Sequence, residues 1–389
     1  MDSQKGILAI MKRSTLDIVR RPIYWVGFFV LPLFIFLFLS TLMEEGLPQR
    51  VPAAIVDRDG TSLSRQITQN LDGMQMVSLT KSCESFTQAR HDMQRGEIYG
   101  FFLIPENFES DLLAGRSPVI TFYTNMTYFV PASLLFKTFK TTALFTKAGV
   151  AVQVLQSAGV ASGNVEPLLQ PVNIVARPIG NPGLNYAFYL CTSFLPCTLQ
   201  LMILLITCFS LGQEIKYRRS TQLLAMADGS IFKAIFGKLL PQTVIWLVMA
   251  FFLESWMFAW QGYPMNGSWL WITLSELMFV LAAQGFGLFI FCVIPNLRFS
   301  LSLSALLGIL SFSLAAFSFP EESMYGSLAI FSWILPTRYN FLIYIDQALN
   351  GIHIYYSRVW FVAYIIFMLL PLPLMWRLKK AFARPVYVP

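Results

Sequence analysis

Charge is scarce in this 389-residue chain: 13% of its residues are Asp, Glu, Lys or Arg, about half the share of an ordinary soluble domain. Histidine is nearly missing. His91 and His353 have no Cys, Asp or Glu neighbours at metal-ligand spacing, which argues against a zinc site. The five cysteines make no disulfide framework, because Cys191, Cys197, Cys208 and Cys292 lie in apolar stretches and Cys83 is alone in a polar one. No G-x-x-x-x-G-K-[ST] phosphate loop is present. The nearest string, FGKLLP at Phe236 to Pro241, lacks the first glycine and the Ser/Thr that would ligate magnesium. Serine is plentiful, yet no G-x-S-x-G or spaced Ser, His and Asp supports a hydrolase. These absences exclude ATP hydrolysis by the phosphate-loop route and leave the chain no metal, cofactor or catalytic constellation of its own.

What is abundant is apolar sequence, 56% of the chain, so a bilayer rather than water must solvate much of it. Six runs are long enough to cross: Ile23 to Met43, Leu184 to Leu211, Leu239 to Trp260, Trp269 to Ile294, Leu301 to Phe319 and Val359 to Trp376. The first is too long for a signal-peptide core, and no small-x-small cleavage site follows before Glu44 and Glu45. Threading the runs alternately puts fifteen cations on one side, among them Lys5, Lys12, Arg13, Arg20 and Arg21 before the first run and Arg377, Lys379, Lys380 and Arg384 after the last. The segment from Glu44 to Gly183 is near neutral, with 11 basic and 12 acidic residues. Positive charge therefore sits inside, with both termini cytoplasmic. The same placement explains the net charge of +7 without a nucleic acid, since the cations flank apolar runs and form no groove-sized patch.

Residues 1–22 alternate apolar and basic positions, which suits a helix lying in the membrane interface and contacting lipid, with Pro22 separating it from the first span at 23–43. A solvated leader is the plain alternative. Residues 44–183 read as an extracytoplasmic α/β domain. Strands are expected at Val51 to Val56, Met76 to Leu79, Tyr99 to Ile104 and Val119 to Tyr123. Helices are expected near Ser62 to Leu71, Ser85 to Arg95 and Glu106 to Leu113, with a long helix from Pro131 to about Ala158. Gly159, Gly163, Pro171, Pro178 and Pro182 end that helix.

Within the five-span region 184–389, Glu254 and Glu276 stand inside apolar runs. An ionisable group at membrane depth is a functional candidate, here for a substrate pathway or proton relay. The competing reading is that each reaches interfacial water or bonds another helix, with Trp256, Trp260, Trp269 and Trp271 marking an aromatic belt nearby. Between the second and third spans, 211–238 combines Glu214, Lys216, Arg218, Arg219, Thr221, Leu223 and Leu224 with a break at Asp228-Gly229. Such a short amphipathic helix either anchors the interface or docks a cytoplasmic partner. The loop 319–358 is apolar but broken by Pro320, Pro336 and Gly351, which favours re-entrant helices over a seventh span.

The order of several motifs resembles the ABC type-2 transporter permeases, in the branch with a large external domain between the first two spans. AAIVDRDGTSLSRQI (Ala53 to Ile67) is similar to its strand and V-D-x-D-x-S turn, and RGEIYGFFLIPENFESDLLAGRSP (Arg95 to Pro118) to its later helix, strand and I-P-x-x-F. GNPGLNY (Gly180 to Tyr186) resembles its N-P motif. Glu214 with Thr221 to Leu224, then Gly237 to Pro241, resemble its E-x6-T-x3-L-L and G-K-L-x-P. FPEESM (Phe319 to Met324) and WILPTRYNF (Trp333 to Phe341) complete the series, while Ala227-Asp228-Gly229 replaces the usual T-P pair. The resemblance implies a mainly α membrane protein of six transmembrane helices with an inserted α/β domain. It implies an exporter permease of the multidrug-efflux kind in a bacterial inner membrane. Such a permease pairs with a second permease subunit, identical or related, and with cytoplasmic ATPase subunits that carry the ATP and magnesium. A periplasmic adaptor and an outer-membrane channel are further partners of Gram-negative members. A membrane-anchored receptor or scaffold, whose external domain binds a ligand without transport, is the other reading of the same architecture.

Overall fold

The computed structural model describes residues 6–42, 48–114, 116, 118–157, 185–315, 317 and 321–386. The motif residues Phe319, Pro320 and Gly180 to Leu184, and the helix-ending Gly159, Gly163, Pro171, Pro178 and Pro182, lie outside them. The chain divides into two compact units, Met1–Gly46 with Pro178–Pro389, and Leu47–Arg177.

In the first unit, α1 (Ile7–Arg20) buries Ile10, Ser14 and Ile18, a stripe spaced four residues apart along one face. Arg21 then turns extended and Pro22 opens α2 (Pro22–Trp25), where its missing N–H and fixed φ cost nothing. The helix runs on through a π-helical turn, Val26–Val30, into α3 (Leu31–Leu42).

In the second unit, β1 (Val51–Asp57), β2 (Val77–Ser82), β3 (Gly100–Ile104) and β4 (Thr121–Thr124) form one sheet in the order β2-β1-β3-β4. β1 pairs in parallel with β2 and β3, and β4 closes the far edge antiparallel. Parallel neighbours need helical crossovers, supplied by α4 (Ser62–Asp72) and α5 (Phe86–Gln94); α6 (Phe108–Leu113) and α7 (Phe129–Ser157) follow. The unbroken apolar run of β1 is explained by burial on both faces. Val51, Ala53 and Ile55 meet Ile67, Leu71, Phe102, Leu135 and Phe139, while Ala54 and Val56 meet Cys83, Ala89, Ile98 and Phe101. Burial raises the Cys83 thiol above its ordinary pKa. The turn after β1 has its own logic. Asp57 Oδ1 accepts the N–H of Asp59 and of Gly60 at 3.0 and 3.1 Å, Gly60 takes a φ of 65°, and Ser64 donates to Asp57 Oδ2 at 2.7 Å.

The first unit resumes with α8 (Tyr186–Lys216), followed by α9 (Ser220–Met226), α10 (Ile231–Ser255), α11 (Trp269–Val293) and α12 (Leu297–Leu314). After them come α13 (Gly326–Ser332), α14 (Pro336–Ile343), α15 (Ile354–Leu369) and α16 (Met375–Ala383). Two more π-helical turns, Trp256–Trp260 and Tyr344–Leu349, extend α10 and α14. Among the described residues six helices are long and apolar enough to cross a membrane. The pair Gly326–Ser332 and Pro336–Leu349, bent by 79°, would add a seventh if it crossed as one. Mainly helical, with a small inserted sheet domain, the protein has the architecture expected from its sequence.

Several span limits differ from the sequence expectation, two of them on either side of the segment between the second and third spans. α8 does not stop at Leu211 but runs to Lys216, and α10 begins at Ile231 rather than Leu239. Ser230 caps α10 by accepting from Lys233 N, so Gly237 to Pro241 lie on a helix and the connection shrinks from 211–238 to 217–230. α8 is the axis of the bundle, with 72% of its apolar stretch buried against 22% for α12. Glycines let neighbours close on it. A Cβ at Gly308 would lie 2.3 Å from Leu201 Cδ1, and one at Gly212 would lie 2.5 Å from Leu297 Cδ1. Buried amides tie the same contacts. Gln200 donates to Ser311 Oγ at 2.7 Å and accepts from Thr337 N at 2.8 Å, and Gln242 donates to Ser210 Oγ at 2.7 Å.

Candidate functional site

Glu214, near the C-terminal end of α8, is 2% exposed and accepts two cations. Arg13 Nη2 of α1 lies 2.6 Å from Oε2, and Lys238 Nζ of α10 lies 2.7 Å from Oε1. Three helices remote in sequence thus share one buried carboxylate. The surroundings are bonded to match. Ser14 donates to Lys238 O at 2.7 Å, Arg21 donates to Gln213 Oε1, and the Arg219 guanidinium takes both oxygens of Asp17 at 3.1 Å. Close approach of α1 to α10 depends on Gly237, where a Cβ would meet Ile10 Cγ2 at 2.9 Å. Below this knot, Gly6 N donates to Met226 O at 2.9 Å and Ser220 donates to Phe382 O of α16 at 2.9 Å. α1, α9 and α16 are thereby fixed to the ends of α8 and α10.

This geometry divides the residues singled out between the second and third spans into two sets. Glu214, Leu223 and Leu224 face inward and are buried. Lys216, Arg218 and Thr221, with Tyr217, Gln222 and Asp228, are exposed, and Arg219 is half-buried in its bond to Asp17. Arg218 and Asp228 take positive φ, which sharpens the turns at either end of α9.

The second cluster lies elsewhere in the bundle. Glu254 of α10 and Glu276 of α11 line the same two cavities of about 20 Å³, together with Pro196 of α8. Thr273 donates to Glu254 Oε1 at 3.1 Å, and Asn340 of α14 donates to Glu276 Oε1 at 2.8 Å. Among the described residues neither acid has a cation within 4 Å. Two of the three π-helical turns border this place, through Met257 and Tyr344. Pro336 opens α14 as its first residue, after the bend that separates it from α13. Arg338 on α14 is buried, bonded to Glu321 and stacked on Trp333 at 4.0 Å from the ring centroid.

A family model described as ABC-2 family transporter protein matches residues 22–375. The chain belongs to that family. It is a permease subunit of an ABC transporter, a membrane transport component that works with an ATPase subunit and is not itself catalytic. No curated protein matches it.

Sequence reasoning named three of the permease's buried acids but few of their partners. Arg13 and Lys238 read only as flanking cations, though Lys238 sits about two turns inside an apolar helix, where an isolated charge demands a partner. Asp17, the sole acid of α1, was a comparable signal. Asn340 and Tyr344 gave none, because only the fold of α14 brings them to the acids.

Proposed function

We propose that this permease is the membrane half of an ATP-driven exporter, moving an amphiphilic, drug-like substrate out of the cytoplasm or inner membrane of a bacterium. The observation that carries the reading is the Glu214 knot. It turns α1, α9 and the ends of α8 and α10 into one stiff corner that presents Lys216, Arg218, Thr221 and Gln222 outward. A push on that corner by an ATPase reaches the long helices directly, since Glu214 and Lys238 belong to them. The fifteen cations that flank the apolar runs favour a cytoplasmic place for the corner and both termini, with the inserted domain on the other side. In this reading the domain meets a periplasmic adaptor there. Two permeases pair across the lipid-exposed helices, and α13 and α14 re-enter the outer leaflet without crossing. Glu254 and Glu276 border the substrate pathway.

The test is transport by the permease reconstituted with its ATPase in proteoliposomes. Reversing the exposed charge, Arg218→Glu with Thr221→Arg, leaves the buried bonds intact and should abolish ATP-dependent substrate movement and ATPase binding together. Full ATPase binding by that variant would sink the docking assignment. Accumulation of substrate on the ATPase side would sink the export direction.

A further inference from the structure

Three of the described buried or half-buried acids of this bundle have a cation, while Asp346 accepts only from the Ser357 hydroxyl and the Trp360 indole. Glu214 has Arg13 and Lys238, Asp17 has Arg219, and Glu321 has Arg338. Glu254 and Glu276 have none among the described residues, yet lie close enough to repel one another. Each spends one oxygen on a neutral donor, Thr273 or Asn340. A third group faces the same cavity: Tyr344 is 8% exposed, and its Oη makes no hydrogen bond, although the Thr192 hydroxyl lies near it. An unpartnered phenol beside two carboxylates that no cation balances is costly unless something else completes the set. The cavity gives the size of what is missing. About 20 Å³ admits one water-sized group, either a free ion or the head of a molecule whose remainder stays outside the cavity. The polar part of the lining gives its charge and hardness, being carboxylate and neutral oxygen with no thiolate or imidazole, while Pro196, Met257, Phe258 and Ile272 supply the apolar wall.

We propose that Glu254, Glu276 and Tyr344 form a binding chamber for one water-sized monovalent cation. The ligand is either a dehydrated alkali ion or the primary ammonium head of an amine substrate, which presents the same charge and size. The carboxylates supply the charge, Tyr344 Oη and the neighbouring oxygens complete the shell, and the ring of Tyr344 backs it. This refines the pathway role given to these acids above and rests on that reading only for its meaning in transport. Binding itself is read without an ATPase, so its failure leaves the exporter assignment standing and the reverse holds equally.

The experiment is thermal unfolding of the full-length permease in lipid nanodiscs, at constant ionic strength in choline chloride. NaCl, KCl and methylammonium chloride are titrated in separate arms. Tm rises with the concentration of a cation that binds the folded state, whereas choline is too large to enter. A rise with Na+ or K+ alone assigns an inorganic ion, and a rise with methylammonium alone assigns a substrate head. A rise with both assigns a chamber open to either. Glu254→Gln and Glu276→Gln should each weaken the response about tenfold or more, and Tyr344→Phe should weaken it less. Equal Tm in all four salts overturns the proposal, and so does a rise that persists in the double glutamine variant. The selectivity over choline is read on the native chain, so the result does not depend on any variant folding.

Discussion

Glu214 and the pair Glu254 and Glu276 are carboxylates of one bundle, all lodged in helices long enough to cross a membrane, and the fold treats them in opposite ways. Glu214 receives two cations from two other helices and cross-links all three. The other two receive a hydroxyl and an amide, and face small cavities instead of counter-charges. A buried charge with partners holds helices in register, while one left without them is held in place by the scaffold around it. The lesson is positional. The paired acid joins three helices at one point, and the unpaired acids border small cavities.

The largest effect should come from removing the paired acid. Glu214→Ala leaves Arg13 and Lys238 buried without a counter-charge, and should cost about 3–5 kcal/mol of stability. Thermal unfolding in nanodiscs reads the loss, and faster tryptic cleavage at Lys12 and Arg20 reads the release of α1. Protection of those sites at the native level would show that the knot does not hold α1. A second attack on the same corner leaves every charge in place. Gly237→Val would push its side chain against Ile10 and the Ile7 carbonyl, which a Cβ alone would approach to 3.2 Å. The strain should cost about 1–3 kcal/mol. The same cleavage pattern at lower amplitude is expected, and an unchanged pattern would mean that α1 has room the packing does not suggest.

The unpaired acids should answer with the opposite sign. Glu254→Gln and Glu276→Gln keep shape and the bond from Thr273 or Asn340, and remove a charge that no cation balances. In choline medium each should raise stability by about 1 kcal/mol. A fall in Tm as steep as that of Glu214→Ala would erase the contrast between the two sites.

Much of this was legible in the chain. The inserted domain was, because β1 is an apolar run bounded by DRDGT, and Asp57, Gly60 and Ser64 are the residues that turn needs. The spans were legible from length and composition alone, and Pro22 and Pro336 marked breaks through the chemistry of proline, which the structure shows as helix starts. The limits of α8 and α10 were not. Lys216, Lys233 and Lys238 read as loop charges, whereas a helix continues past the apolar run when its charged residues find partners or water. The pairing of Glu214 with Arg13 was invisible for a different reason. It joins residues 201 positions apart, and nothing local in either segment encodes the partner. Glu254 and Glu276 could be nominated one by one from their apolar surroundings, but their meeting at one cavity depends on how α10 and α11 pack.

The smallest effect is expected from the half-exposed pair beside the knot, and it measures how much burial matters. Asp17 and Arg219 share the bidentate geometry of a strong ion pair, yet their side chains keep 20% and 32% of their exposure. Water and salt screen such a pair, and its worth is about 0.5 kcal/mol. Asp17→Asn should therefore lower Tm only slightly at low salt and hardly at all at about 1 M, where the screening length falls to about 3 Å. The loss in Glu214→Ala should persist at both concentrations, because its cations are enclosed by protein. If instead both variants lose their effect together in salt, Glu214 is reached by solvent ions, and the corner is looser than three helices bonded to one carboxylate require.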